Sequence, residues 1–384
     1  MINYNAIKVI LSKLIAYRSV SPDDAGCQLY IREYLLALGF KFEEFNHGAV
    51  TNSFFYYGSK KPAFIFAGHT DVVAAGDEIL WLFKPFELVE SAEQLYGRGV
   101  ADMKGSIACM LVAITKFIKN YPIVPNGIGI LLTSGEEGDD YASGTPYIMQ
   151  ILDQQKRLPA YCVLGEPSSH NQVGDCIRIG RRGSLTAKII VQGVQGHVAY
   201  PDLAVNAIHL LSPVLIDLTA IQWDQGNAYF PPTTMQIIAL NTSNLGGNII
   251  PGEVHLELNI RFSTEHTVAS LQQIIADCFQ RHKLAPIINW YVHGQPFLTP
   301  QGVLLEAMCS VINANIGQVP LLSTAGGTSD GRFIAPYGVE VIELGLVNTT
   351  IHQINENIHA QDLIILSNIY HDLLVYFHSN SNYN

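Results

Sequence analysis

The stretch Gly129-Ile130-Leu131-Leu132-Thr133-Ser134-Gly135-Glu136-Glu137-Gly138 is an apolar run that stops at two adjacent glutamates held between glycines. Its composition predicts a buried strand over 127–133. Successive side chains at a strand end point in different directions, so one carboxylate can bind a metal ion while its neighbour works on the attacking water. Taken alone, the pair reads equally as solvated acids in a turn, because charged side chains are mostly exposed. The company it keeps in the rest of the chain favours chemistry.

Upstream, Ala63-Phe64-Ile65-Phe66-Ala67 reads as another buried strand and ends in Gly68-His69-Thr70-Asp71; downstream, Ala160-Tyr161-Cys162-Val163-Leu164 delivers Gly165-Glu166-Pro167. His69 and Asp71, two apart at a strand end, share a face, so Asp71 is expected to accept the second ring N–H of His69 and fix its tautomer. Gly97-Arg98-Gly99-Val100-Ala101-Asp102-Met103-Lys104-Gly105 surrounds Asp102 with glycines just before a helical run over 107–117. An acid there suits a helix start, and the glycines also suit a tight loop around something else. Three apolar runs thus end in a glycine followed by His or Glu, with helical stretches between them. That is the pattern of an α/β sheet with ligands gathered at the carboxyl ends of its strands. A last buried strand is expected over 339–344, with His352 shortly after it.

From about Gly183 the texture changes. Leu185, Ala187, Ile189 and Val191, then Val254, Leu256, Leu258, Ile260 and Phe262, alternate with mostly polar residues, which predicts a sheet with one covered and one open face. Helical patterns over 204–218 and 267–282 supply the cover. The expected organisation is a small α+β domain over 183–293 inserted into a larger α/β domain built from 1–182 and 294–384.

Composition bounds the function. The chain has 384 residues, 48% hydrophobic and 14% charged, enough for two compact cores. Its 22 basic and 33 acidic residues give 22 − 33 = −11, and no basic run is longer than Arg181-Arg182. Nucleic acid and membrane are therefore not expected as partners. Six dispersed cysteines form no C-x-x-C pair. The first residues read as an amphipathic helix rather than a signal peptide, no stretch is apolar enough to span a bilayer, and a reducing cytoplasm fits.

Collected, His69, Asp102, Glu137, Glu166 and His352 are an all-N/O set suited to zinc or a similar divalent ion, and five ligands exceed what one open catalytic zinc uses. Two ions sharing a carboxylate fit better, with Asp102 bridging, His69 and Glu166 on one ion, and Glu137 and His352 on the other. Glu136 is left to act as general base and acid. The run Ser323-Thr324-Ala325-Gly326-Gly327-Thr328-Ser329-Asp330-Gly331 lacks the ending of a phosphate loop, yet its N–H groups and hydroxyls can cradle a carboxylate.

The motifs G-H-T-D-V-V, G-R-G-V-A-D-M-K-G, S-G-E-E-G, G-E-P-S-S, G-H-V-A-Y-P and T-I-H-Q-I-N-E, in this order, resemble the aminoacylase/carboxypeptidase family of dinuclear zinc hydrolases. The resemblance implies a catalytic domain with a mixed central sheet flanked by helices, plus an inserted dimerisation (lid) domain. It implies the two ligand sets given above, Asp71 as a supporting catalytic residue, Glu136 as acid/base, and zinc, with cobalt as the alternative metal. G-R-R-G-S-L-T at 180–186 and G-G-T-S-D-G-R-F at 326–333 further imply hydrolysis of N-succinyl-LL-2,6-diaminoheptanedioate to succinate and LL-2,6-diaminoheptanedioate, in the bacterial route to lysine. A related deacylase, such as one for acetylornithine, and a non-catalytic metal-binding relative are the alternatives. In a homodimer, His197 of the small domain is expected to reach the other subunit's site as a donor to the developing oxyanion. Substrate contacts are expected from Arg181, Arg182 and Arg261, whose planar forks suit a carboxylate, and from Tyr200, Asn248, Gly327, Thr328 and Ser329. One departure from the pattern is Gly247, where a second asparagine beside Asn248 is expected.

Overall fold

The computed structural model describes residues 2–243, 246–299 and 301–380. The chain divides into two compact units. One holds the chain up to Gly180, Leu298–Ser323 and everything from Ser329 onward; the other holds Arg181–Phe297 and Thr324–Thr328. The division falls at 181 and 297 rather than 183 and 293. It also assigns the turn 324–328 to the smaller unit, where Arg181 Nη1 donates to the Ala325 carbonyl at 3.0 Å and Thr324 Oγ1 donates to the Tyr229 carbonyl at 2.5 Å.

The larger unit is organised by an eight-stranded mixed sheet. Its order is Lys41–Glu44, Asn52–Tyr57, Ile128–Thr133, Phe64–His69, Tyr161–Leu164, Glu340–Glu343, Cys176–Arg178, Leu321–Ser323. The four strands from Ile128–Thr133 to Glu340–Glu343 are mutually parallel, whereas Asn52–Tyr57 runs antiparallel to Ile128–Thr133. Phe64–His69 and Ile128–Thr133 are buried along their whole lengths, which is why they read as continuous apolar runs rather than alternating ones. Because neighbouring parallel strands end on one side, the residues that follow them collect there.

Helix Lys104–Asn120 starts three residues before the expected 107 and packs against Ala360–Ser379 and Tyr4–Ala16. Its Ile107, Leu111, Ile114 and Phe117 join Phe64, Phe66, Leu363 and Tyr370 in one core. Burying each such aromatic side chain stabilises the unit by roughly 1.5–3 kcal/mol. Phe117→Ala is the kind of single change that costs about 3–5 kcal/mol. Among the described residues no helix is long and apolar enough to cross a membrane. The six cysteines are free thiols, all buried except the half-buried Cys309.

The smaller unit carries a four-stranded antiparallel sheet in the order Thr234–Asn241, Glu253–Phe262, Gly183–Gln192, Ile287–Gly294. Leu185 pairs with Ile260 and Ala187 with Leu258, so the apolar sides of both central strands face the same way. Helices Ala207–Ala220 and Val268–Arg281 cover that face through Leu211, Val214, Leu218, Leu271 and Ile275. The second helix begins with a capping box in which Thr267 and Ser270 each accept the other's backbone N–H.

Candidate metal centre

The site is built where the parallel strands of the larger unit end. His69 is the last residue of its strand and is 1% exposed. Glu136 and Glu137 follow Ile128–Thr133, and Glu166 follows Tyr161–Leu164. Asp102 enters from the loop before helix Lys104–Asn120. Gly99 turns that loop at φ +84°, and a Cβ there would meet Val72 Cγ1 at 2.6 Å, so both conformation and space require glycine.

The two oxygens of Asp102 face different histidines. Oδ1 lies 3.1 Å from His69 Nε2, and Oδ2 lies 3.3 Å from His352 Nε2. His69 Nε2 is also 3.8 Å from Glu166 Oε1, while His352 Nε2 is 2.9 Å from Glu137 Oε1. The side chains thus separate into His69 with Glu166 and His352 with Glu137, Asp102 standing between. Ligand atoms of His69, Asp102 and Glu137 fall within 4.8 Å of one another, as do those of His69, Glu136 and Glu166. Glu136 therefore sits inside the same cluster.

Asp71 acts differently from the expectation. His69 Nδ1 donates to the Asp71 main-chain carbonyl at 2.9 Å, while the Asp71 carboxylate is farther off, at 3.6 Å. That carboxylate is fully buried and instead accepts the N–H of Glu137 at 3.0 Å and of Glu136 at 3.4 Å. The tautomer of His69 is still fixed, with Nε2 turned toward the carboxylates.

The electrostatics show what the cluster lacks. Burial, with the carboxylates of Asp102 and Glu136 close by, pushes the Glu166 carboxyl well above its ordinary range; burial, Asp330, Glu137 and Asp102 do the same to Glu136. Burial alone would make His69 less basic, yet Asp102, Glu166 and Asp71 hold its pKa well above the usual value. Glu166 Oε1 is buried without a hydrogen-bond partner, an arrangement that is costly for a carboxylate in a dry setting. A pair of divalent cations supplies the missing positive charge, and imidazole and carboxylate are the donors that such ions take.

Glu356 and Arg98 belong to the site without being expected there, although both fall inside the motifs given above. Glu356 is 1% exposed and receives the backbone N–H groups of Gly99, Ala101 and Asp102 as well as Arg98. Only the rarity of a buried, paired carboxylate distinguishes it, and that is invisible before folding.

The other expected residues lie in the smaller unit, except Ser329. Arg181 is 7% exposed and lies against Gly326, whose φ of +104° favours glycine and where an added Cβ would stand 2.5 Å from Arg181 Nη1 and push the guanidinium aside. Arg182 Nη1 reaches the Pro232 carbonyl and Thr234 Oγ1, both at 3.4 Å. Arg261 Nε donates to Asn259 Oδ1 at 3.1 Å. His197 is exposed, and its Nδ1 accepts the Ala199 N–H at 3.1 Å. Its neighbour Tyr200 is exposed too, and Asn248 accepts the Val198 N–H on its main-chain carbonyl at 3.0 Å. Gly247, Gly327 and Thr328 stand in open or half-buried turns, with no atom within 4 Å of a Cβ built on either glycine. Ser329 departs from the expectation: its hydroxyl is fully buried and donates to Glu343, so that proton is not offered to a substrate.

Comparison with known proteins bears on the family and the fold. The family described as Peptidase family M20/M25/M40 matches residues 65–376. A succinyl-diaminopimelate desuccinylase from Legionella pneumophila (strain Corby) is 56% identical over 95% of this chain and 97% of its own length. Another from Hydrogenovibrio crunogenus is 45% identical over 95% and 97%. Among solved structures, a tripeptidase from Staphylococcus aureus superposes with a TM-score of 0.80 at 19% identity, covering 99% of this chain and 100% of that one. A dinuclear metal-binding peptidase of family M20 from Bacillus subtilis does so with a TM-score of 0.73 at 11% identity, covering 98% of each. With the family match spanning most of the chain and its relatives aligned almost end to end, the chain belongs to peptidase family M20/M25/M40.

Proposed function

We propose that this protein hydrolyses N-succinyl-LL-2,6-diaminoheptanedioate to succinate and LL-2,6-diaminoheptanedioate, the desuccinylation named for its relatives, with two zinc ions per subunit. The observation that carries the reading is the placement of Glu136 beside Glu137. One carboxylate lies 2.9 Å from His352, while the other is in the same cluster but surplus to the five-ligand set. Asp102 would be shared by the two ions, His69 and Glu166 would hold one, and Glu137 and His352 would hold the other. When bound, the ions polarise the amide carbonyl and make the attacking water more acidic.

Everything else is done by the chain. Glu136 takes a proton from the water as its oxygen adds to the amide carbon, then gives that proton to the nitrogen as the C–N bond breaks. Asp71 keeps Glu136 and Glu137 in register by holding their N–H groups. With Nδ1 of His197 engaged as an acceptor, its proton stands on Nε2. The imidazole is then a donor for the oxyanion, and in a homodimer it serves the other subunit. Arg181, Arg182 and Arg261 meet the succinyl carboxylate through their fork geometry. Tyr200, Asn248 and the N–H groups of Gly327, Thr328 and Ser329 complete the substrate contacts. The setting that fits is a cytoplasmic biosynthetic enzyme, in the route to lysine and diaminopimelate.

The deciding experiment is a panel of N-succinyl and N-acetyl amino acids offered to metal-free protein reconstituted with zinc or cobalt. Release of succinate only with metal, and preferentially from the diaminoheptanedioate amide, supports the reading. Equal or faster release of acetate would move the protein to the deacylases, and no amide cleavage with either metal would make it a non-catalytic relative.

A further inference from the structure

Glu356 lies four residues beyond His352, and its carboxylate is filled by donors from the loop that presents Asp102. Oε2 accepts from Arg98 Nη1 and from the Gly99 N–H, both at 2.8 Å; Oε1 accepts from the Ala101 N–H at 2.9 Å and the Asp102 N–H at 3.1 Å. The clamp also closes through the main chain, since the Gly97 N–H donates to the Glu356 carbonyl at 3.1 Å. Arg98 Nη2 then reaches the carbonyls of Ala74 at 3.3 Å and His352 at 3.5 Å. Between the histidine and the glutamate the chain is tightly wound, with His352 at φ +61° and Asn355 at φ +63°.

A buried ion pair adds little net stability, because the cost of removing both charges from water offsets their attraction. What such a pair fixes well is position, and here it joins three segments of the site: Ala74, the loop from Arg98 to Asp102, and the turn from His352 to Glu356. Asp102 can face both histidines only while its main chain stays in place, its two oxygens standing 3.1 and 3.3 Å from them.

We propose that Glu356, paired with Arg98, is the positioning residue for the ion assigned to Asp102, Glu137 and His352, fixing in one grip the bridging carboxylate and the histidine on the far side of it. This rests on the two-ion reading above. The other ion depends less on the grip, since His69 is held by its strand and by the Asp71 carbonyl, and Glu166 by the end of a separate strand. Loss of Glu356 is therefore expected to lower one of the two affinities rather than both.

The test is zinc titration against a competing chelator, on the full chain, for wild type, Glu356→Gln and the double variant Arg98→Met/Glu356→Gln. In both variants one ion should stay within a few-fold of its wild-type affinity, while the other should lose about 10–100-fold. The double variant removes both buried charges, so its unfolding midpoint should recover relative to Glu356→Gln while the affinity lost for the one ion does not. A double variant that binds both ions as wild type does, or loses both equally, or fails to fold, makes Glu356 merely structural and overturns the proposal. Wild-type protein that binds fewer than two ions overturns the two-ion reading itself, a failure seen without any variant.

Discussion

The main-chain N–H of Glu137 lies 3.0 Å from Oδ2 of Asp71, so the ends of two neighbouring parallel strands are tied at the point where the chain changes from scaffold to chemistry. The same carboxylate takes the Glu136 N–H at 3.4 Å, and the Asp71 carbonyl takes His69 Nδ1 at 2.9 Å. One fully buried aspartate thus holds the main chain of both glutamates and one ring nitrogen of His69.

Asp71→Ala leaves two backbone donors facing an apolar methyl group, at a cost of about 1–3 kcal/mol. Turnover is expected to fall on the order of 10–100-fold, with KM less affected, because the residues proposed for substrate contact are elsewhere. Steady-state kinetics beside a thermal unfolding curve checks this. Unchanged kcat in a folded variant would show that strand geometry alone orients Glu136 and Glu137.

Glu136→Gln keeps size and hydrogen bonding but removes the base. Turnover should drop by roughly 10² to 10⁴, with metal content unchanged by elemental analysis. If zinc is lost along with activity, Glu136 is a ligand and Glu137 is the residue to be reconsidered as base.

The strand ends are legible in the sequence because each strand is buried on both faces. A single apolar run followed by Gly and His or Glu is ordinary turn chemistry, but its recurrence at His69, Glu137 and Glu166 points to one shared site. Asn52–Tyr57 does not read as a strand, although it is almost wholly buried, because Asn-Ser-Phe-Phe-Tyr-Tyr lacks both the alternation and the aliphatic character that mark one. Leu321–Ser323 and Cys176–Arg178 are too short to carry a period. Within the site, side-chain identity singles out the candidate ligands, but the partner of His69 Nδ1 is a carbonyl where a carboxylate is expected. Spacing places Asp71 on the correct face without saying which of its oxygens turns inward. Glu356 is invisible for the same reason, since its role consists of backbone N–H groups that lie more than 250 residues away in sequence.

Asp362, in the first turn of helix Ala360–Ser379, has its carboxyl raised by burial from 3.8 to about 6. The folded state therefore holds this proton more tightly than the unfolded chain. The stability it contributes is complete below about pH 4 and is lost as pH rises through about 6. Asp362→Asn should leave the unfolding free energy nearly unchanged at about pH 4 and raise it at about pH 7.5, by at most on the order of 1–3 kcal/mol. Wild-type and variant curves that run parallel across this window would refute the assignment.

Arg181 and Gly326 form a second pair whose disruption has a specific signature. The guanidinium lies against a glycine at φ +104°, so Gly326→Ala must displace either the turn or Arg181. Both Gly326→Ala and Arg181→Ala are expected to raise KM for the succinyl substrate by roughly tenfold or more, as loss of a charge-assisted contact of about 1.5–3 kcal/mol implies. A slow N-acetyl substrate should be nearly unaffected. Equal losses on both substrates would show that Arg181 supports the turn rather than reading a carboxylate.

His197 carries the last expectation because the role proposed for it crosses a subunit boundary. It is exposed in the smaller unit, with Nδ1 engaged by the Ala199 N–H at 3.1 Å, so its Nε2–H is free of the local turn and available as a donor. Removing one oxyanion donor lowers turnover by about 10² to 10³, so His197→Ala homodimers should be nearly inactive, as Glu136→Gln homodimers should be. Mixing the two variants under conditions that exchange subunits produces heterodimers. If the histidine serves the other subunit, one site of each heterodimer pairs an intact Glu136 with an intact His197, and activity returns toward half that of a wild-type site pair. If it serves its own subunit, each heterodimer holds one site without the base and one without the donor, and activity stays at the level of the two parents. Native mass spectrometry of tagged chains confirms that exchange has taken place, so absence of rescue then assigns His197 to its own subunit. Full activity in the His197→Ala homodimer would instead confine the residue to capping its own turn.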